Sequence, residues 1–159
     1  MGERTGISWT EATWNPVQGC TKISPGCKHC FMFAAQERYG RDPNVVLRPQ
    51  PWRDPLRWQR AAQQDGRREL VFTCSWSDWF HADADPWRAE AWETIRACPN
   101  LIFQILTKRA ERIAGHLPAD WGAGWPNVWL GVSVERDDYC QRGNVLRQLP
   151  ARVRFVSAE

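Results

Sequence analysis

Leu101-Ile-Phe-Gln-Ile-Leu106 is an apolar run that does not alternate with polar residues, the pattern of a strand buried on both faces. Similar runs flank it: Leu70 to Cys74 (LVFTC) upstream, and Val128 to Val134 (VWLGVSV) and Val153 to Ser157 (VRFVS) downstream. Their starts fall 31, 27 and 25 residues apart, so each gap has room for a helix and two short loops, as parallel crossover units require. The gaps also carry helix starts. Asp85-Pro86 reads as an N-cap and a first-turn proline, after which Trp87, Ala91, Trp92 and Ile95 share one helical face. Asp54-Pro55 repeats the signal before Leu56, Trp58 and Ala62. A third helix is predicted from about Lys108 to Leu117, stopped by Pro118, and a fourth within Asp137 to Leu149, stopped by Pro150.

Upstream, Phe31 to Tyr39 has helical spacing and ends at Gly40, a natural residue to follow a helix. A short strand around Trp14 to Val17 would precede it, and Arg41 to Arg53, with Pro43, Pro49 and Pro51, reads as a loop. The alternation implies an α/β domain with a parallel sheet of about five strands. By itself it does not separate an open doubly wound sheet from an incomplete barrel.

A chain of 159 residues, 43% apolar and 25% charged, is long enough for one domain with a true core. The net charge of only +3 is spread along the chain, so nucleic acid is permitted as a partner but not indicated. The N-terminal MGERTGISWTEATW has no apolar core of a signal peptide, and no stretch approaches the roughly 20 apolar residues of a membrane span, so a cytoplasmic protein without membrane association is expected. In that reducing compartment clustered cysteines more often bind metal or do chemistry than form disulfides. The eleven tryptophans are expected to be core or rim side chains with one hydrogen-bonding edge; Trp76 and Trp79 could alternatively stack on a base.

Three of the six cysteines lie in Gly19-Cys20-Thr-Lys-Ile-Ser-Pro-Gly-Cys27-Lys-His29-Cys30-Phe31, a C-x6-C-x2-C pattern in the loop that leads into the first helix. The C-x2-C pair can converge on one centre, and Pro25-Gly26 can turn Cys20 back to it. Three thiolates leave one position of a four-iron cluster open, whereas zinc would need a fourth ligand such as His81 or His116. Cys74, Cys98 and Cys140 are expected to be buried small apolar groups, with Cys74 the one able to face a cofactor. Asp78 and His81 could instead cap the following helix, and Lys108 and Arg109 could either begin a solvated face or bind phosphate.

The cysteine loop after the first strand of a β/α repeat resembles the radical S-adenosylmethionine superfamily, whose usual spacing is C-x3-C-x2-C. With the words TWNPVQGC, SPGCKHC, SDWFH, LTKR and GVSVE, the longer spacing resembles a phage-associated radical-SAM-like family of unassigned substrate. The resemblance implies a partial TIM-like barrel and a [4Fe-4S] cluster on Cys20, Cys27 and Cys30. It implies further that the open iron binds S-adenosylmethionine and that one electron cleaves it to a 5′-deoxyadenosyl radical, which modifies an unknown substrate. His29 would lie near the adenine, Ser75, Ser77 and Asp78 near the methionine amino group, and Ser133 and Glu135 near the ribose. A reductase or a flavodoxin-like electron donor is implied, and nucleic acid is one candidate substrate. Relative to that superfamily the single domain, residues 1–159, lacks the last β/α unit, so its fifth strand would call for a complementing chain or a second copy. The competing expectation is a noncatalytic zinc- or cluster-bearing binding module, a truncated family member.

Overall fold

The computed structural model describes residues 5–49 and 52–159, so Pro51 lies outside the described residues. Five strands form one parallel sheet: β1 (Ala12–Trp14), β2 (Glu69–Thr73), β3 (Leu101–Thr107), β4 (Val128–Val134) and β5 (Val153–Ala158). Their order in the sheet is their order in the chain, and the sheet does not close into a barrel. Four helices connect them: α1 (Phe31–Arg38) and α2 (Asp54–Gln64) between β1 and β2, α3 (Asp85–Arg96) between β2 and β3, and α4 (Gln141–Gln148) between β4 and β5. Parallel crossovers are right-handed, and when each steps to the next strand in the same direction they all fall on one face of the sheet. The expectation of an α/β fold with about five parallel strands holds, and the choice left open by the alternation resolves to consecutive order rather than double winding.

The register shows why the strand runs are apolar. Ala12, Val71, Phe103 and Val128 stand in one row across β1 to β4, and Trp14, Thr73, Ile105 and Leu130 in the next. All eight are buried, and Thr73 spends its hydroxyl on the Gln104 carbonyl at 3.0 Å. Trp58 and Ala62 of α2, Ala91, Trp92 and Ile95 of α3, and Leu146 of α4 complete this core. The opposite face of the sheet is only half covered at Phe72, Leu106, Trp129 and Phe155. On β5 the core row runs out: Val132 is fully buried, while Val156 beside it is 54% exposed.

The tryptophans mostly belong to the core. Trp92 sits among Trp79, Trp121 and Trp125 with ring centroids 5.0 to 5.6 Å apart, and Trp79 also packs against Trp14. The indole N–H groups of Trp14, Trp92 and Trp121 donate to the carbonyls of Trp52, His116 and Pro150. Base stacking by Trp79 is thereby corrected, because its rings are buried against other indoles; Trp76 is half-buried and packs edge-on to Phe31.

Several boundaries differ from the sequence expectation. β1 ends at Trp14 rather than Val17, because Asn15 turns its carboxamide oxygen to Ser75 Oγ and the Trp76 N–H, and Pro16 has no N–H to offer a ladder. The helix expected from Lys108 to Leu117 is two 3₁₀ turns, Ala110–Arg112 and Ala114–His116. Lys108 and Arg109 donate their N–H groups to Asp78 and Thr107, and glycine stands at 115. Asp54 and Asp85 make no capping hydrogen bond; each is inside the first turn and pairs with an arginine three residues on. No helix of the described residues is long and apolar enough to cross a membrane.

Candidate functional site

The carboxyl ends of the strands are where a parallel sheet offers its loops to ligands. Here the β1–α1 loop folds over them. Gly19, at φ +91°, lies so close to the Val45 carbonyl that a Cβ would fall 2.1 Å from its oxygen, so glycine is required. Its N–H donates to the Trp76 carbonyl, its own carbonyl accepts from Ser77 Oγ at 2.6 Å, and the Cys20 N–H donates to Pro43. Cys27 closes a 3₁₀ turn, Pro25–Cys27, and Cys30 stands at the N-cap of α1. Gly26 meets the Glu135 side chain, where a Cβ would collide with it. Cys20, Cys27 and Cys30 thus line one cavity of about 430 Å³ together with Cys74, Ser77 and Lys108.

Two charged networks hold this loop. Asp78 is 5% exposed; Oδ1 accepts from Phe80 N–H and Thr107 Oγ1, and Oδ2 from Lys108 N–H and Arg109 Nη1 at 3.1 Å. Arg109 also donates to Cys20 Sγ at 3.5 Å and to both the carbonyl and the hydroxyl of Thr21. Glu135 accepts from Ser24 Oγ at 2.7 Å and from Arg142 at 2.7 Å, with Lys108 Nζ at 3.3 Å. Burial pushes the Glu135 carboxyl up, but Ser24, Lys108 and Arg142 outweigh it and hold the group below its usual range. Lys108 also reaches Glu159, whose other oxygen accepts from Ser133 Oγ at 2.8 Å. Burial pushes the Cys20 thiol up to about 11 against the pull of Arg109, so a metal that binds there displaces a proton.

The nine residues expected at a site gather at this end of the sheet but face different tasks. His29 is exposed on the cavity wall. Ser75 binds Asn15, Ser77 binds Gly19, and Asp78 has both oxygens engaged, so these side chains brace the cysteine loop. Ser133 and Glu135 likewise point at Glu159, Ser24 and Arg142. Arg109, treated from sequence as a solvated or phosphate-binding residue, is 6% exposed and touches the first cysteine. Asn15 is marked in the sequence only by the Trp14-Asn15-Pro16 words before the cysteine loop, and Thr21 only by its place next to Cys20.

The remaining cysteines divide. Cys98 is fully buried, and burial pushes its thiol up to about 12. Cys140 is exposed beside α4, which corrects the expectation that it is buried. Cys74 is buried on the cavity at φ +58°, a left-handed conformation uncommon outside glycine and a typical mark of strain near functional sites.

The family model described as protein of unknown function, DUF5131, matches residues 4–159. The chain belongs to the DUF5131 family. No curated protein matches it, and no solved structure does. The resemblance to the radical S-adenosylmethionine superfamily and its phage-associated relatives is therefore corrected, since the match is to DUF5131 and no radical SAM family is found. A cysteine loop over the ends of parallel strands is an arrangement that unrelated chains can reach, because the fold itself puts loops there. Among the described residues no three His, Cys, Asp or Glu side chains are gathered tightly enough to hold a metal ion; the three thiols surround a cavity instead.

Proposed function

We propose that this chain holds a [4Fe-4S] cluster on Cys20, Cys27 and Cys30 and presents its open iron to S-adenosylmethionine, for reductive cleavage and modification of a substrate still to be identified. The observation that carries the reading is that three thiols of one short loop line a single cavity at the ligand-binding end of a parallel sheet. A multi-iron cluster suits donors spread round a cavity better than zinc does, since each thiolate takes a different iron rather than meeting the others at one ion. The alternative fourth zinc ligands are also engaged elsewhere: His81 Nε2 with Thr21 and His116 Nε2 with Arg112. When bound, such a cluster supplies one electron to the sulfonium of its ligand.

The chain's own residues would do the placing. The volume, about 430 Å³, lies in the range of roughly 300–1,000 Å³ occupied by small-molecule pockets. Phe31, Phe72 and Leu106 give it apolar walls, and the Lys108 ammonium lines it while shared between Glu135 and Glu159. Burial pulls Lys108 down, but Glu159 and Glu135 outweigh it and keep it protonated.

The test is the iron, sulfide and zinc content of anaerobically reconstituted protein, with an electron paramagnetic resonance spectrum after reduction and again after adding S-adenosylmethionine. Iron and sulfide in equal amounts, a spectrum changed by S-adenosylmethionine, release of 5′-deoxyadenosine under reductant, and loss of iron in Cys20→Ser, Cys27→Ser or Cys30→Ser are expected. Stoichiometric zinc without iron would sink the reading.

A further inference from the structure

The three cysteines do not have equivalent surroundings. Cys20 Sγ receives a guanidinium N–H from Arg109 at 3.5 Å. Cys27 Sγ lies 3.6 Å from Ser24 Oγ, but the one hydrogen of that hydroxyl is directed at the Glu135 carboxylate 2.7 Å away. Ser24 can therefore accept from a Cys27 thiol but has nothing to give a Cys27 thiolate while Glu135 holds it. For Cys30 Sγ, no hydrogen bond is found among the described residues.

Arg109 is also unusually well fixed. It is 6% exposed, Nη1 is shared between Cys20 and Asp78, and Nη2 is shared between the carbonyl and hydroxyl of Thr21 at 2.9 and 3.0 Å. Its backbone N–H is taken by Thr107 Oγ1 at 2.9 Å. The planar fork of a guanidinium can meet sulfur, carboxylate and peptide oxygen together, as a lysine ammonium on a flexible stem cannot.

Hydrogen bonds to the ligating sulfurs are among the features that set the potential of an iron–sulfur cluster. Reduction adds a negative charge, and a buried cation donating to one thiolate stabilises the more negative state. Asp78 offsets part of that charge, so the directed hydrogen bond carries most of the effect.

Resting on the cluster reading above, we propose that Arg109 raises the reduction potential of the cluster through its hydrogen bond to the Cys20 thiolate. It acts as a positioning residue for Cys20, not as a group that touches substrate. The set of three ligands is thereby electronically lopsided, with the Cys20 side favoured for the added electron.

The experiment is a redox titration, followed by electron paramagnetic resonance, of reconstituted wild type, R109Q and R109K, with iron measured in each sample. R109Q is expected to shift the reduction equilibrium about tenfold toward the oxidised form, about 59 mV more negative for one electron, and R109K to fall between it and wild type. An R109Q protein that carries full iron at an unchanged midpoint overturns the assignment and leaves the cluster reading intact, since a residue that only braces the loop would alter loading and not potential. Should R109Q fail to load, R109K decides: a midpoint below wild type supports the proposal and an unchanged one overturns it. Wild type that takes up no iron overturns both.

Discussion

The tryptophan-rich core against one face of the sheet and the charged rim at the carboxyl ends of its strands are built on opposite terms. In the core, Trp14, Trp79, Trp92, Trp121 and Trp125 pack on one another and on Phe103; the indole N–H groups of all but Trp79 find carbonyls, and that of Trp79 is buried without a partner among the described residues. At the rim, buried Asp78, Arg109 and Arg142 and half-buried Glu135 satisfy each other and thereby pin a loop that has little apolar packing of its own. Burial of large rings stabilises without direction, whereas a buried ion pair costs desolvation and is retained where geometry is needed. The difference separates what keeps the domain folded from what keeps Cys20, Cys27 and Cys30 facing one cavity.

Variants on each side should sort accordingly. Asp78→Ala is expected to have the largest effect, because it leaves buried Arg109 without its carboxylate and strips partners from Thr107, Lys108 and Phe80. Breaking a buried pair this way costs about 3–5 kcal/mol, readable in urea unfolding, and should also lower iron uptake by the fraction that remains folded. Trp92→Ala should cost about as much, roughly 3–5 kcal/mol, but leave iron uptake per folded molecule unchanged. Equal loss of uptake in the two variants would erase the distinction between the regions.

The smallest expected effect is a pH dependence that belongs to the rim alone. His81 is buried; Nδ1 accepts from the Asp83 N–H, so Nε2 carries the hydrogen donated to Thr21 Oγ1. Burial and then Arg109 push its imidazole below 6.5, with Arg112 adding to them and Asp83 and Asp78 opposing. The unfolded chain therefore takes up the proton first as pH falls, and stability present above 6.5 is lost as pH drops from there toward the folded value. Urea midpoints measured from pH 8 to pH 5 should show this loss in wild type and a flatter curve in His81→Asn. A loss of the same depth in both would assign the slope to other groups.

How much of this was legible in the chain depends on the range of the interaction. The apolar runs at β2, β3, β4 and β5 were read directly, because a strand buried on both faces needs apolar side chains at successive positions. The helices α2 and α3 were read from proline and the apolar face that follows it, though Asp54 and Asp85 proved to pair with arginines instead of capping. The segment after β3 was misread as one helix because the competing hydrogen-bond acceptor, Asp78, lies 30 residues earlier. The cysteine loop was visible as a metal-binding pattern, and its likeness to another superfamily was a local feature that the family match did not extend.

The sequence alone thus determined strands β2 to β5, the parallel alternation and the position of the three thiols in one loop, since each is encoded by spacing within a few tens of residues; β1 was expected at Trp14 to Val17 and is Ala12–Trp14. Only the tertiary structure decided that the strands stand in consecutive order without closing, that Arg109 meets Cys20 across 89 residues and that Glu135 meets Ser24 across 111. A charged side chain carries no local mark of its partner. Its role at the rim exists only once the carboxyl ends of β2, β3 and β4 lie side by side, where low water access makes each pairing obligatory.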